Sequence, residues 1–551
     1  MTTPFGAPFP VQPRQSIVST LIVEPTLGFD TARSPLNIAL GATPNSDNYI
    51  MREGRLAPRP ALSSITGSDG NFPGGFRIAG GQEAVNVSGQ HYLMASAQGD
   101  SRLPYLSSLA VPWSYASFVG SNEPAINVAH FWDWTQIFHD RSGDNVAVGV
   151  PTNRQGMYIW VPGATTYSAL TGAPGATCIA PLDNYLLAAN LEEAGDTFIQ
   201  RVRWTDRGSI SSWTGGLSGF EDLLSAKGGV NRMLPLENRV AIFFDDEIWT
   251  AAPVEFPSVF QFAPLDANIG CPYPWTATIT PTGIMFMARN FQLYLLPKSG
   301  GVAVPVGLPI HRSIRDAIVQ APRSFGVYDG IRNMYQFYFA DSQSSGNVPH
   351  RAAWLHLDTG AWAPQSFATG ASDIGLTRGF QANLNASRAS AWNDMGSITW
   401  DQMAGVSWDD MIGIGDERQT VVLGSSGGTL YRLDSTISRD MQATAGPAGQ
   451  TIRAFWETKL LGDEWPGQQK TIQEVRLDYV APTTSAVSVR TMQGGTFASG
   501  SSTTLPATSA VSQAIAYPFV ASRYPAVRIE SSDQTNFEIH RLHVTMRVGG
   551  R

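Results

Sequence analysis

The residues able to do chemistry are few and scattered along the chain. Two acidic runs stand out, Asp245-Asp246-Glu247 and Glu192-Glu193. Paired carboxylates are the tools of glycoside hydrolysis, one acting as acid and the other as base or nucleophile. Both runs fall at expected hairpin tips, where acids are ordinarily solvated turn residues. Of the eight histidines (His91, His130, His139, His311, His350, His356, His540 and His543), the last two are three apart. On a strand that spacing sends side chains to opposite faces, which argues against a shared metal. The two cysteines, Cys178 and Cys271, make neither a CxxC pair nor a disulfide framework, and buried free thiols are expected.

No GxxxxGK[ST], HExxH or EF-hand loop occurs in the sequence. The stretch Trp204 to Trp213 comes nearest to the Asp-box of sialidases, but it misses the Ser-to-Asp spacing and stands alone. Trp132-Asp133, Trp400-Asp401 and Trp408-Asp409 echo WD repeats without the ~40-residue period that makes that signal specific. No catalytic residue, cofactor or metal site is expected. One internal repeat is sharp: Trp392, Trp400 and Trp408 are each followed three residues later by Met395, Met403 and Met411. Asp or Asn follows each Trp and can cap a local turn, while Trp and Met dock on apolar surface. The repeat reads as a loop pinned by three Trp anchors, or as a docking patch for a partner protein.

The elements that would position these residues are strands. Apolar residues make up 43% of the 551 and aromatic residues 10%, enough for a large core. Gly 54 and Pro 36 are spread along the chain, as many short strands with frequent turns require. Helical periodicity is confined to His311 to Val319 and Phe220 to Lys227. Hairpins read from Met285 to Leu296, Phe325 to Phe339, Ala353 to Ala363 and Thr420 to Leu433, with Asp, Asn, Ser or Gly at the turns. Such units recur near 74–110, 145–170, 176–206, 230–252, 275–307, 323–368 and 419–434. A small antiparallel sheet cannot bury both faces alone, and stacking several around an axis buries them all. Arg239 to Phe244 and Gly283 to Met287 are apolar at consecutive positions, as strands covered on both faces should be. The expected fold is all-β, a propeller of roughly five to seven blades.

Three regions are expected. Residues 1–70 are Pro-rich and read as an irregular N-terminal arm and a seam with the last blade. Residues 71–450 form the propeller, with the Trp-repeat loop 381–417 inserted. Residues 451–551 form a C-terminal β-sandwich, in which Val475, Leu477 and Tyr479 alternate with Arg476 and Asp478. Within it, Gly494 to Ser512 is Ser/Thr-rich and reads as an exposed loop.

The formal net charge is −8, against the basic balance of a protein that grips DNA phosphates. No apolar run approaches the ~20 residues that span a bilayer, and the start lacks the pattern of a secretory signal. Synthesis in a cytoplasm is expected.

Several ordered stretches carry a resemblance. Leu27-Gly-Phe-Asp30 is followed by Asn48 to Pro60, then Val202 to Asp206, Ser212-Trp213, Gly219 to Asp222, Arg232 to Phe244 and Asn268 to Cys271. With the Trp-Asp-x-Met repeat and Trp456 to Lys459, this order resembles the tail nozzle or hub β-propeller proteins of short-tailed bacteriophages. Tail tubular and packaged-DNA stabilisation proteins are their relatives. The resemblance implies a virion tail component and no enzyme. It implies a homo-oligomeric ring, a hexamer, below the portal and its adaptor. Such a ring continues the channel for double-stranded DNA, holds the packaged genome, lets it eject, and carries fibres or spikes. The lumen is expected to be negative and to bind no DNA sequence. The alternative is a virion-associated or secreted propeller that binds or hydrolyses polysaccharide. A binding form would show aromatic residues at Trp456, Trp465 and Tyr524.

Overall fold

The computed structural model describes residues 17–52, 54–65, 76–107, 113–120, 131–139, 143–255, 257–367, 375–383, 420–434, 439–440, 450–462, 465–493, 495–497, 501–531 and 537–549. The chain is nearly all β and divides into two compact units, residues 60–452 and residues 1–59 with 453–551.

The larger unit is a β-propeller. Five four-stranded sheets stand separately, and one eight-stranded sheet is two more blades joined at their outer strands, making seven blades. The innermost strands, in chain order, are Ile78–Val85, Trp132–His139, Cys178–Leu182, Arg232–Leu236, Thr278–Thr280, Phe325–Asp329 and Leu376–Ala382. They neighbour one another in that order and the last neighbours the first, so the ring closes. Blades 1 and 2 fuse where Ser114–Val119 pairs in parallel with Thr166–Ala169. Blade 7 is completed from upstream: Ala61–Ser64 pairs with Leu430–Asp434 as its outermost strand. Covering both faces of each blade explains the unbroken apolar strands. Gly283–Met287 and Met334–Phe339 are buried along their whole length. Phe243 and Ile248 of blade 4 pack with Ile284 and Phe286 of blade 5 in one core.

The seven hairpin-like units read from the sequence correspond one for one to the seven blades. Of the two expected helices, His311–Ala317 forms. Phe220 to Lys227 does not: Gly219–Asp222 is the outer strand of blade 3, paired with Arg201 to Trp204.

The smaller unit is two antiparallel sheets. One runs Thr508–Ala516, Lys470–Ala481, Glu538–Val548, Arg55–Pro58, Tyr49–Arg52, with Ile17–Val23 also on Glu538–Val548. The other runs Ser46–Asp47, Ala454–Glu457, Val527–Ser531, Ser485–Gln493, with Ser501–Leu505 beside the last. Val475, Leu477 and Tyr479 are buried, and Tyr49 Oη donates across to Ser531 Oγ at 3.4 Å. Two expectations are corrected here. The described part of 1–59 is no irregular arm, because it supplies strands to both sheets, and the propeller begins at Pro60 instead of 71. The described part of 494–512 is not a loop throughout, because Ser501–Leu505 and Thr508–Ala516 pair with Ser485–Gln493 and Lys470–Ala481. Threonine is β-branched and suits a pleated surface, which outweighs the polar composition.

Candidate functional site: the propeller axis

The innermost strands approach closely because small residues face their neighbours. A Cβ on Gly80 would stand 2.7 Å from the Trp132 carbonyl oxygen, and one on Gly326 2.7 Å from that of Thr276. Thr377 Oγ1 ties blade 7 to blade 1 by donating to the Ile78 carbonyl at 2.8 Å.

Along the axis these strands enclose a cavity of about 220 Å³. A second space of about 560 Å³ lies further along, sharing Ile279, Tyr328 and Gln381 as lining. Three charged side chains line the first cavity: Asp133 from blade 2, Arg232 from blade 4 and Arg378 from blade 7. Each oxygen of Asp133 has a partner. Its Oδ1 lies 3.3 Å from Arg232 Nη2, and its Oδ2 accepts from the Ile179 amide at 3.2 Å. Burial pushes the Asp133 carboxyl above its ordinary value, against the pull of Arg232, the Ile179 amide and Arg378.

Arg378 is 4% exposed. Its guanidinium carbon lies 3.7 Å from the Phe131 ring centroid and 3.8 Å from that of Trp275, while Arg232 lies 4.6 Å from Trp275. Such contacts contribute about 2 kcal/mol or more where the cation is desolvated. They supply no hydrogen-bond acceptor. Nη1 reaches only the adjacent Thr377 carbonyl, at 3.4 Å, and Nε and Nη2 have no partner among the described residues. Burial, then repulsion from Arg232 and Arg77, holds the Arg378 pKa well below the usual arginine value, with Asp133 opposing. Arginine nonetheless keeps its proton in proteins. Among the described residues, the first cavity is therefore lined by two guanidiniums and one carboxylate.

The sequence-level candidates lie elsewhere. Trp392, Met395, Trp400, Met403, Trp408 and Met411 fall outside the described residues. Among the acidic runs, Glu192 is exposed and Asp245 and Asp246 are half-exposed at a hairpin bend, as expected, whereas Glu247 and Glu193 are not solvated turn residues. Glu247 is 5% exposed and accepts from Trp249 Nε1 at 2.9 Å, and Glu193 pairs with Arg201 and Arg203. His543 pairs with Asp478 at 2.9 Å, and His540 sits in a register shift of its strand, so simple alternation fails there. Trp456 is buried core, whereas Tyr524 is 38% exposed. Among the described residues no group of three or more His, Cys, Asp or Glu is arranged to hold a metal ion. No helix of the described chain is long and apolar enough to cross a membrane.

None of the three axial charges stands in a specific motif: Asp133 follows Trp132 without the WD period, and Arg232 opens a largely apolar stretch. The available signal was a charged residue inside an otherwise strand-forming run, Trp-Asp-Trp at 132–134 and Thr-Arg-Gly-Phe at 377–380.

No protein-family model and no curated relative matches this chain. Solved structures do. The extracellular domain of a hybrid two component system from B. thetaiotaomicron is 9% identical, with TM-score 0.39 over 68% of this chain and 39% of that one. This chain thus spans well under half of that protein domain's length. BBS1N, solved in complex with ARL6DN, is 11% identical, with TM-score 0.36 over 69% of this chain and 98% of that one. YCF48 from Cyanidioschyzon merolae is 11% identical, with TM-score 0.35 over 68% of this chain and 100% of that one. At these identities the likeness concerns fold alone. The class defined by the strand topology is an all-β propeller.

Proposed function

We propose that this chain is a structural subunit of a bacteriophage tail. In this reading it assembles as a ring that continues the DNA channel below the portal and adaptor, retains the packaged genome, allows ejection and carries fibres or spikes. Its role there is non-catalytic.

The observation that carries the reading is the path of the chain. It contributes to the sandwich unit, leaves at Arg59, closes blade 7 with Ala61–Ser64, runs round every blade, and returns at Arg453 to complete the sandwich unit. The propeller is thus tied at both ends, and neither end of it is a chain terminus from which strands can peel. Resistance to unravelling suits a part that bears load, because forced unfolding is governed by the unfolding barrier. Four of the stretches that carry the resemblance fall on strands of this path: the hairpin Tyr49–Pro58, the strand ending at Trp204, Gly219–Asp222 and the hairpin Arg232–Phe243. A two-carboxylate hydrolase is disfavoured in the first cavity, since among the described residues Asp133 is its only acid.

The test is light scattering and negative-stain microscopy of the full chain, alone and with a portal–adaptor complex. A closed ring, free or formed only on that complex, is expected, with a heterologous interface that closes by rotation. A monomer that ignores the complex overturns the reading and directs attention to polysaccharide binding and cleavage.

A further inference from the structure

The strand Ile17–Val23 is an edge of its sheet and carries none of the usual protection. It pairs with Glu538–Val548 along its whole length without a register shift, and among the described residues no other backbone hydrogen bond reaches it. Its outward ladder groups are therefore a template on which another strand can add. Edge strands are normally blunted by lysine, proline or a bulge. Ile-Val-Ser-Thr-Leu-Ile-Val has no charge, no proline and no bulge, and most of its residues are β-branched strand formers. On the solvent face Val18 is 59% exposed and Ile22 50%, with exposed Thr20 between them. The opposite edge of the sheet, Thr508–Ala516, is partly covered already, since Thr503 Oγ1 donates to the Ile515 carbonyl at 3.0 Å.

The order of residues in the strand says what fits it. Read from either end, it presents nearly the same side chains about Thr20. When two copies lie antiparallel with Thr20 opposite Thr20, Val18 faces Ile22, Ile17 faces Val23, and Ser19 faces Leu21. The solvent face then carries Val18 and Ile22 of both copies in one row, flanking two threonines. On the other face the small Ser19 leaves room for Leu21. β-Branched pairs and Thr–Thr pairs directly opposite one another are favourable cross-strand partners. Arg547 and His543 stand one strand further in, opposite Val18 and Ile22, and Glu24 just beyond the strand is paired with Arg541 at 2.9 Å. No like charges therefore meet across the pairing. A patch that matches itself when turned about is what a two-fold contact requires.

We propose that Ile17–Val23 is a dimerisation strand: two copies of this chain pair antiparallel through it, about a two-fold axis at Thr20, and join their sheets into one. A two-fold contact closes on itself and cannot build a ring. This interface is thus separate from any that closes a ring, and it does not rest on the tail reading.

The experiment is disulfide trapping in the full chain. The two native cysteines are buried, so Thr20→Cys supplies the accessible thiol. Across the two-fold its Cα stands about 5 Å from its mate, within reach of a disulfide. Val18→Cys is as exposed, but its mate lies about 14 Å away along the strands. Each variant is oxidised with diamide and run on a non-reducing gel. Thr20→Cys is expected to form a covalent dimer about tenfold faster than Val18→Cys or better. Adding Ile22→Lys sets a charge against Val18 and should slow the Thr20→Cys crosslink about tenfold, with the melting temperature little changed because the position is half-exposed. Thr20→Cys that stays monomeric overturns the proposal. Equal rates at the two positions, or a rate that ignores Ile22→Lys, overturn it too. If a cysteine variant fails to fold, light scattering of the wild-type chain against Ile22→Lys decides: the mass should halve, and equal masses overturn the dimer. A trapped dimer without a ring on the portal–adaptor complex defeats the tail reading alone, and a ring without a trapped dimer defeats this proposal alone.

Discussion

Arg154 of blade 2 donates to Asn190 Oδ1 of blade 3 from two nitrogens, Nε at 3.0 Å and Nη2 at 2.6 Å. Asn190 Nδ2 in turn donates to the Val230 carbonyl, just before blade 4, at 2.9 Å. One amide thus bridges three consecutive parts of the ring. Asn190 stands in a register shift of its strand with φ +56°, a conformation asparagine tolerates and glycine accepts freely. Asn190→Gly therefore removes the bridge without straining the backbone. Hydrogen bonds to a charged group contribute about 1.5–3 kcal/mol, so a loss of about 2 kcal/mol is expected, seen as a lower urea midpoint for the propeller transition. An unchanged midpoint would mean that the bridge contributes nothing to blade docking.

Closure of the ring depends on a short strand from outside the blade order. Leu62 is buried, pairs with Leu433, and its amide donates to Asp440 Oδ1 at 2.9 Å. Leu62→Pro deletes that donor and leaves the buried Asp440 oxygen without it, a cost of about 1–3 kcal/mol. Hydrogen exchange should then show residues 61–64 and the facing strand Leu430–Asp434 losing protection together. Retained protection at Leu430–Asp434 would separate blade 7 from the closing strand.

The blades were legible because each hairpin obeys local rules. Phe325–Asp329 and Met334–Phe339 flank turn residues Gly330 to Asn333, and the aromatic and β-branched positions lie in the strands. Legibility failed where tertiary contacts override local pattern. Phe220, Leu223 and Leu224 have helical spacing, yet Asp222 is captured by Arg201 and the segment joins a sheet edge. The strands Gly28–Phe29, Ala42–Thr43 and Ser46–Asp47 have two residues each, too short to show any period. The axial charges were hidden for a different reason. Arg378, Arg232 and Asp133 come from three blades far apart in sequence, and only closure of the ring brings them together.

Both thiols should be silent in the native protein. Cys178 is buried and free, and burial pushes its pKa up to about 12; Cys271 is likewise buried and free, pushed up to about 11. Thiolate is the reactive form, so iodoacetamide at pH 8 should leave both unmodified until urea unfolds the propeller. Labelling of either at the rate of a free model thiol would place it on a surface instead of in the core. The two sites also report separately, since Cys178 lies in blade 3 and Cys271 in the segment leading to blade 5.

The last prediction concerns acid. Arg201 grips Asp222 with two bonds of 2.7 Å, reaches Glu193 at 3.0 Å, and lies 3.8 Å from the Phe198 ring centroid and 4.1 Å from that of Phe220. The Arg201 hydrogen bonds hold the Asp222 carboxyl below its ordinary value. A carboxyl lowered on folding stabilises the fold fully above its unfolded pKa, and that contribution fades as pH falls through the folded value. At pH 7 the wild-type protein should therefore have a higher urea midpoint than Arg201→Met. As pH falls below the usual carboxylate range the two midpoints should converge, because Asp222 is then protonated in both. Part of the difference persists if the packing of Arg201 on Phe198 and Phe220 matters, since methionine cannot reproduce a cation over a ring. A gap that stays constant from pH 7 down to pH 3 assigns the whole effect to packing and removes the ion pair from the account of how the outer strand Gly219–Asp222 is held.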